Sequence, residues 1–580
     1  MACSHHQING GGDPNLRHHR IGTVAEAISA GGRFSSVHLL LAEEFGHRPC
    51  LRSMLKVDVQ LQNLTLQKIT AIGIFLGGCV LAVYASSMAA EGNTRSLILI
   101  FAAIVGGIFI INLKENFWLI LPVGLSLNLP TIPLGFRQIS SQELAIALAT
   151  LLFILRICMH NQPIKLRPIW SWPIFFYLAC VALSFTLHPV GLWTFGSNSG
   201  GARFYVQIAL AFSAFLILSS IVPKERHLKF ILIACLFGNL LTAGWNVLSY
   251  FLFPAFTWLT TAPTAFAEEE GFYSWHQALS QVSLPVYTFI LVSMPFQRLF
   301  SVKNLFWSIP CLIACLVVTA LSGKRAAMAM MFLFPLIIAL ARKEYLYLLL
   351  GGFLASVLLS IAVLGQGRLF VLPLAVQRSL VNLPGQWDAR VLASTTGLDK
   401  QEADVFRTFM KEKAWKIIKD KPFTGKGLSI NLKDMVALIQ TNQGEDKKAI
   451  DALAAGSSWH HKWLGISADI GIPAAVFYGF FNLLLLILYT LLVIRFRNQG
   501  WYYAFSLFQF CMAVRFILFS TTGGHTAASP LEEWWIYGIG LAILHSLPNS
   551  PSKSVPPGSE TRPSRRFAHS PDSQPLASNH

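Results

Sequence analysis

The chain is poor in charge. Asp, Glu, Lys and Arg make up 13% of its 580 residues, where soluble domains carry about 25%, and 54% of the residues are hydrophobic. That scarcity excludes an ordinary water-soluble globule. Cysteine is scarce too, nine in all. Cys3 and Cys50 precede the apolar part, the other seven lie in apolar runs or at their ends, and no CxxC pair occurs. No exterior disulfide framework or thiolate metal centre is open to such a chain, and its cysteines read as small buried hydrophobes. Residues 1–53 lack the apolar core of a signal peptide. The polar loops hold no Asp-x-Asp motif and no carboxylate pair with metal-ligand spacing, so neither a metal nor another cofactor is expected. Glu268-Glu269-Glu270 reads as a solvated loop. Gly196-Ser-Asn-Ser-Gly-Gly-Ala-Arg203 is glycine-rich but lacks the Gly-Lys-Ser/Thr ending of a P-loop. No internal repeat stands out.

What the chain has is long apolar runs. Ile69–Ala90, Ser96–Leu113, Ile169–Leu187, Phe204–Val222, Phe230–Phe253, Asn304–Gly323, Tyr345–Leu364 and Ile470–Ile494 are each nearly free of charge. Phe117–Pro130, Ser141–Leu155, Gln277–Gln297, Ala326–Ala341, Trp501–Ser520 and Trp534–Leu547 are weaker candidates. A helix needs about 20 such residues to cross the hydrocarbon core. The expected fold is an all-α polytopic membrane protein of about 12–14 transmembrane helices, a few of the runs being re-entrant or merged.

The formal net charge of +17 first suggests nucleic acid, but its distribution excludes that reading. The basic clusters alternate with the apolar runs: Arg156 to Arg167, Lys224 to Arg226, Arg298 to Lys303, Arg342-Lys343, Arg495 to Arg497 and the tail. Short loops rich in Lys and Arg stay cytoplasmic. Placing these inside gives one threading with both termini cytoplasmic. Residues 1–53 then form a disordered arm or an extension upstream of a start at Met54, and 54–364 a transmembrane bundle. Residues 365–462 form one long periplasmic loop with short helices, 463–547 the last transmembrane helices, and 548–580 a disordered Ser/Pro/Arg-rich tail. Within the long loop, Phe406, Phe409, Met410, Ala414 and Ile417 recur at helical spacing, with lysines mostly elsewhere on the surface. Pro422 and the following glycines end that helix.

Two stretches carry a more specific signal. Met410-Lys-Glu-Lys-Ala-Trp-Lys-Ile-Ile-Lys-Asp-Lys-Pro-Phe-Thr-Gly-Lys-Gly427 precedes a polar segment, and His460-His461-Lys-Trp-Leu464 then leads to Asp469-Ile-Gly471-Ile-Pro473. This resembles the O-antigen ligase and polymerase superfamily. Its pattern is a helix ending in Pro-x-x-Gly-x-Gly, then His-Asn-x-x-Leu, then an acidic residue two before a glycine that enters a span. Aligning Leu464, Asp469 and Gly471 puts His460 on the family histidine. His461 then stands for the usual asparagine, Asp469 for the usual glutamate, and Ala474 where glycine is frequent. Thr319-Ala-Leu-Ser-Gly-Lys-Arg325 is similar to the family's Ser-Arg-Gly turn.

The resemblance implies an enzyme that moves a glycan from undecaprenyl diphosphate to an acceptor hydroxyl at the periplasmic face of the bacterial inner membrane. The acceptor is lipid A–core in the ligase branch, a lipid-linked glycan in the polymerase branch and a protein in a third. His460 would be the catalytic base, since imidazole titrates near neutrality; an interfacial histidine satisfied by headgroups is the bland alternative. Arg203 and Arg325 would bind the diphosphate through their guanidinium forks; the alternative for each is a helix-end anchor in lipid phosphate. His461 and Lys324 are secondary candidates beside them. Arg515 lies within an apolar run, where a cation faces a cavity or a partner, and Asp469 is a plausible partner. His276, next to Trp275, suits an interfacial anchor better than chemistry. A reading of another class, an ion-coupled transporter built on Arg515 and Asp469, has no inverted repeat to support it.

Overall fold

The computed structural model describes residues 114–127, 132–134, 137–160, 168–189, 202–252, 275–322, 325–396, 398–428, 459, 461–497, 499–522 and 531–546. The chain divides into two compact units, Met1–Asn112 and Leu113–His580, and the described residues all belong to the second. The arm at 1–53, the runs Ile69–Ala90 and Ser96–Leu113, and the tail at 548–580 lie outside them.

In lipid a backbone can satisfy its polar groups only within a helix or a closed barrel, and uninterrupted apolar runs become helices here. A 3-10 turn at Lys114–Leu119 leads into α1 (Ile120–Ser126), followed by α2 (Ser141–His160), α3 (Pro168–Leu187), α4 (Arg203–Ser219) and α5 (Glu225–Leu252). Next come α6 (Trp275–Ser293), α7 (Phe296–Leu299), α8 (Val302–Leu321), α9 (Arg325–Arg342) and α10 (Tyr345–Gly365). The loop region contributes α11 (Leu374–Leu380), α12 (Ala389–Thr396), α13 (Leu398–Asp420) and α14 (Lys462–Asp469). The chain returns through α15 (Ile472–Arg495), α16 (Gly500–Thr522) and α17 (Leu531–His545). Among the described residues, eight helices are long and apolar enough to cross a membrane. The fold is an all-α, multi-pass membrane bundle.

One local expectation changes. The run expected as Phe117–Pro130 is, among the described residues, the 3-10 turn and the seven-residue α1, too short together to cross the hydrocarbon core; α1 packs on α2 and α5. After it, Ile132–Leu134 pairs antiparallel with Arg137–Ile139, Ile132 opposite Ile139.

The core lies where α4 packs along α17 and α15 packs against α3 and α16. Gly538 in α17 meets the backbone of Phe215 and the side chain of Leu218 in α4, so a larger residue there would push the two helices apart. Buried tyrosines bind carbonyls across elements: Tyr489 donates to the Ile536 carbonyl at 2.6 Å and Tyr537 to the Trp170 carbonyl at 2.6 Å. Arg342, in the last turn of α9, donates to the Leu291 and Val292 carbonyls at the end of α6, at 2.8 and 2.6 Å. A cation at a helix C-terminus meets the negative end of the helix dipole.

Candidate functional site

The two motif stretches meet. The buried face of α13 is Met410, Ala414 and Ile418, packed with Trp459 and Ala468. The spacing i, i+4, i+8 sets that stripe, and Phe409, expected on it, is 50% exposed. Past Asp420 the chain turns, and the turn is stitched to the end of α14. The Lys426 amide donates to the Ala468 carbonyl (2.9 Å), Gly427 to Asp469 (2.8 Å), and Ile472 back to Pro422 (2.8 Å). Gly425 and Gly471 have φ of 62° and 111°, a region L side chains rarely adopt. A Cβ at Gly425 would strike the Asp469 backbone, and one at Gly471 the Phe423 carbonyl. The two glycines are what allow the strands of this clasp to touch.

Side chains complete the clasp. Asp469 is fully buried. Its Oδ1 accepts from Trp459 Nε1 at 2.9 Å and pairs with Lys426 Nζ at 3.1 Å. The partner expected for Asp469 was Arg515; these groups stand there instead, brought in by the glycine turn. At the other end of α14, Lys462 Nζ pairs with Glu533 of α17 at 2.6 Å, both nearly buried. Tyr478 of α15 donates to the same carboxylate. The ends of α3 and α4 also grip the turn: Tyr205 Oη accepts from the Leu428 amide at 3.2 Å, and His188 lies against Gly427. Burial and then Lys421 hold the His188 pKa below the usual histidine value.

His461 is the N-cap of α14, its Nδ1 accepting from the Leu464 amide at 3.4 Å. Asparagine, the usual residue of the motif pattern at this place, is also a strong N-cap. Burial and then Lys411 lower the His461 pKa. A neutral imidazole that accepts at Nδ1 carries its proton on Nε2. His460 and Lys324 lie outside the described residues.

The arginines are placed separately. Arg203 opens α4 nearly buried, its Nε 3.4 Å from Glu143 Oε1 and its Nη2 3.4 Å from Oε2. Gln207 donates to the same carboxylate at 3.0 Å. Arg325 opens α9, is exposed, and donates to the Arg378 carbonyl of α11 at 3.2 Å. Arg515 makes a 4.0 Å contact to the Met512 sulfur and lies 5.6 Å from the Phe519 ring. It lines a cavity of about 450 Å³. His276 is the second residue of α6; its side chain lies outside the described set.

Glu143, Lys426, Trp459, Lys462 and Glu533 were not singled out by sequence reasoning. A lysine between two glycines, and carboxylates in the first turns of apolar helices, were the signals that could have found them.

Residues 310–479 match the family model for O-antigen ligase. The match places this stretch in the O-antigen ligase superfamily. It runs from within α8 into α15 and so takes in Arg325, all of α13 and both halves of the clasp; Arg203 and Arg515 lie outside it. The family implies a glycosyltransferase-like membrane enzyme of ligase or polymerase type. No curated protein matches the chain.

Proposed function

We propose that the chain transfers a glycan from undecaprenyl diphosphate to a hydroxyl of lipid A–core at the periplasmic face of the bacterial inner membrane. The observation that carries this reading is the clasp within the matched stretch. It immobilises the residues on both sides of position 460: Trp459 through Asp469, and His461 through the cap of α14. The cap at His461 also supports the register that makes His460 the family histidine.

In this reading His460 takes the proton of the acceptor hydroxyl as its oxygen attacks the anomeric carbon. The bond from that carbon to the diphosphate oxygen breaks, and undecaprenyl diphosphate leaves with the electron pair. His461 is unsuited to the same task, since the protonated Nε2 of a capping, neutral imidazole has no lone pair to offer. Arg325 and Arg203 offset the charge of the leaving diphosphate, fixed cations being effective where water is scarce. Glu143 meets Arg203 along one edge and so orients its fork.

The test offers purified protein a lipid-linked oligosaccharide and lipid A–core and measures released polyprenyl diphosphate. His460→Ala is expected to lower turnover about 10²–10⁴-fold, the usual contribution of a general base. Turnover is expected to persist in excess EDTA. Near-normal turnover in His460→Ala removes the base assignment. Binding or flux of the donor without release of diphosphate removes the transferase reading.

A further inference from the structure

The cavity around Arg515 sits at the end of the bundle where α2, α9 and α17 begin, with Gln142, Ala327 and Glu532 from their first turns on its wall. It adjoins the site already described. Glu532 lines it while the next residue, Glu533, holds Lys462; Gln142 lines it while the next residue, Glu143, holds Arg203. Its volume of about 450 Å³ is in the range of small-ligand pockets.

Its polar groups are mostly side-chain amides. Gln142 donates one amide N–H to the Leu125 carbonyl at 3.0 Å, and Asn239 one to the Cys235 carbonyl at 2.7 Å. Each keeps its amide oxygen as an acceptor and a second N–H as a donor. Gln509, 2% exposed, lines the same wall, and its amide oxygen has no hydrogen-bond partner among the described residues. The wall carries one guanidinium, Arg515, whose contacts among the described residues are a sulfur and a ring, and one carboxylate, Glu532, which is exposed. A buried polar group left unmatched is costly, and a cation inside a membrane bundle marks a ligand path by default. Amides that both accept and donate suit hydroxyls, the orphaned Gln509 oxygen calls for a donor, and a guanidinium held only by a sulfur and a ring calls for an anion.

We infer that this cavity binds a phosphate-bearing polyol headgroup, with the phosphate on Arg515 and hydroxyls on the amide oxygens of Gln509, Gln142 and Asn239. Two sources share that chemistry: the glycosyl phosphate end of a lipid-linked glycan, and the phosphoglycerol headgroup of a bilayer lipid. The site stands on the cavity itself; only the first source rests on the proposed transfer reaction.

Equilibrium binding to the full chain in detergent micelles tests it, with four labelled probes: undecaprenyl-phosphate glucose, dioleoyl phosphatidylglycerol, soluble glucose 1-phosphate, and a neutral dioleoylglycerol glucoside. At least one anionic probe is expected to bind saturably, and the neutral glucolipid at least tenfold more weakly. Arg515→Gln is expected to weaken the anionic probe about 10–100-fold, the scale of a lost charge-assisted hydrogen bond. Gln509→Leu is expected to weaken it severalfold; it removes an unmatched buried amide, so it keeps the inference testable if Arg515→Gln does not fold. Preference for undecaprenyl-phosphate glucose assigns the first source and preference for phosphatidylglycerol the second. Binding of glucose 1-phosphate alone shows that the headgroup suffices. His460→Ala is expected to bind as wild type does, which separates this inference from the transfer reading. Saturable binding of none of the probes, or equal binding of all four by wild type and both variants, overturns it.

Discussion

Helices α10 and α16 are both about the length of a membrane crossing, and they are opposites. Tyr345–Gly365 has a mean hydropathy of 2.4 and only 11% of it is buried in the protein; Gly500–Ser520 has 1.5 and is 61% buried. In water the more apolar helix would be the inner one. Here lipid accepts Leu349, Phe353 and Leu364, which are 71%, 72% and 67% exposed. The interior is made of α16, with Ser506 and Gln509 buried beside Phe505 and Cys511. Lipid tails are as apolar as leucine, so helices associate through close packing and polar contacts. In this bundle polarity inside an apolar run therefore points to the interior.

That contrast can be broken most directly by truncation. Phe505→Ala in α16 is expected to destabilise the bundle by about 3–5 kcal/mol through the cavity it leaves, whereas Leu349→Ala in α10 should stay within about 0.5 kcal/mol. Reversible unfolding in micelles measures both. Equal losses would mean that α10 packs against something in the membrane as closely as α16 does.

A smaller effect sharpens the contrast at the polar rim. His461→Ala removes the cap of α14 and should cost about 1 kcal/mol, while His461→Asn should recover most of it. If asparagine rescues neither stability nor turnover, the ring does something a cap does not.

Glycine separates the two environments by sign. Apart from its own helix backbone and chain neighbours, no described residue comes within 4 Å of where a Cβ on Gly351 in α10 would stand. Gly351→Ala is therefore expected to stabilise by about 0.5 kcal/mol through helix propensity, and Gly538→Ala, against the α4 backbone, to destabilise. A loss at Gly351 would show that α10 has a close neighbour.

The smallest effect is with pH. The His461 and His188 pKa values are both lowered from 6.5. The folded state then binds protons more weakly than the unfolded state. Stability from these residues is fully present above about pH 6.5 and falls as pH drops below it towards the folded values. Thermal midpoints at pH 8, 6.5 and 5 should decline across the lower interval, and less so in His461→Asn. A rise on acidification would refute the lowered values.

The spans were largely legible in the sequence, because a continuous apolar run in lipid has helix as its simplest solution. Tyr345–Leu364 was expected and Tyr345–Gly365 is found; Asn304–Gly323 became Val302–Leu321. Phe117–Pro130 failed because apolar content alone does not say where a helix ends, and α1 ends at Ser126. In the site, the motif stretches were legible but their mutual contacts were not. Gly425 read as a helix stop and Gly471 as the entry to a span, whereas each makes room for the backbone packed against it. Asp469 was paired with the wrong cation because pairing depends on which turn reaches it, and Lys426 arrives from more than forty positions away.

The clasp has a consequence for how such chains can diversify. Leu428 is held by Tyr205 and Trp459 by Asp469, so the residues on either side of 429–458 are each tied to a helix. Lengthening a segment whose ends are already pinned costs only about 0.6 kcal/mol per doubling of its length. Insertions or deletions between Leu428 and Trp459 are therefore expected to leave the backbone partners of Lys426, Gly427 and Ile472 in place.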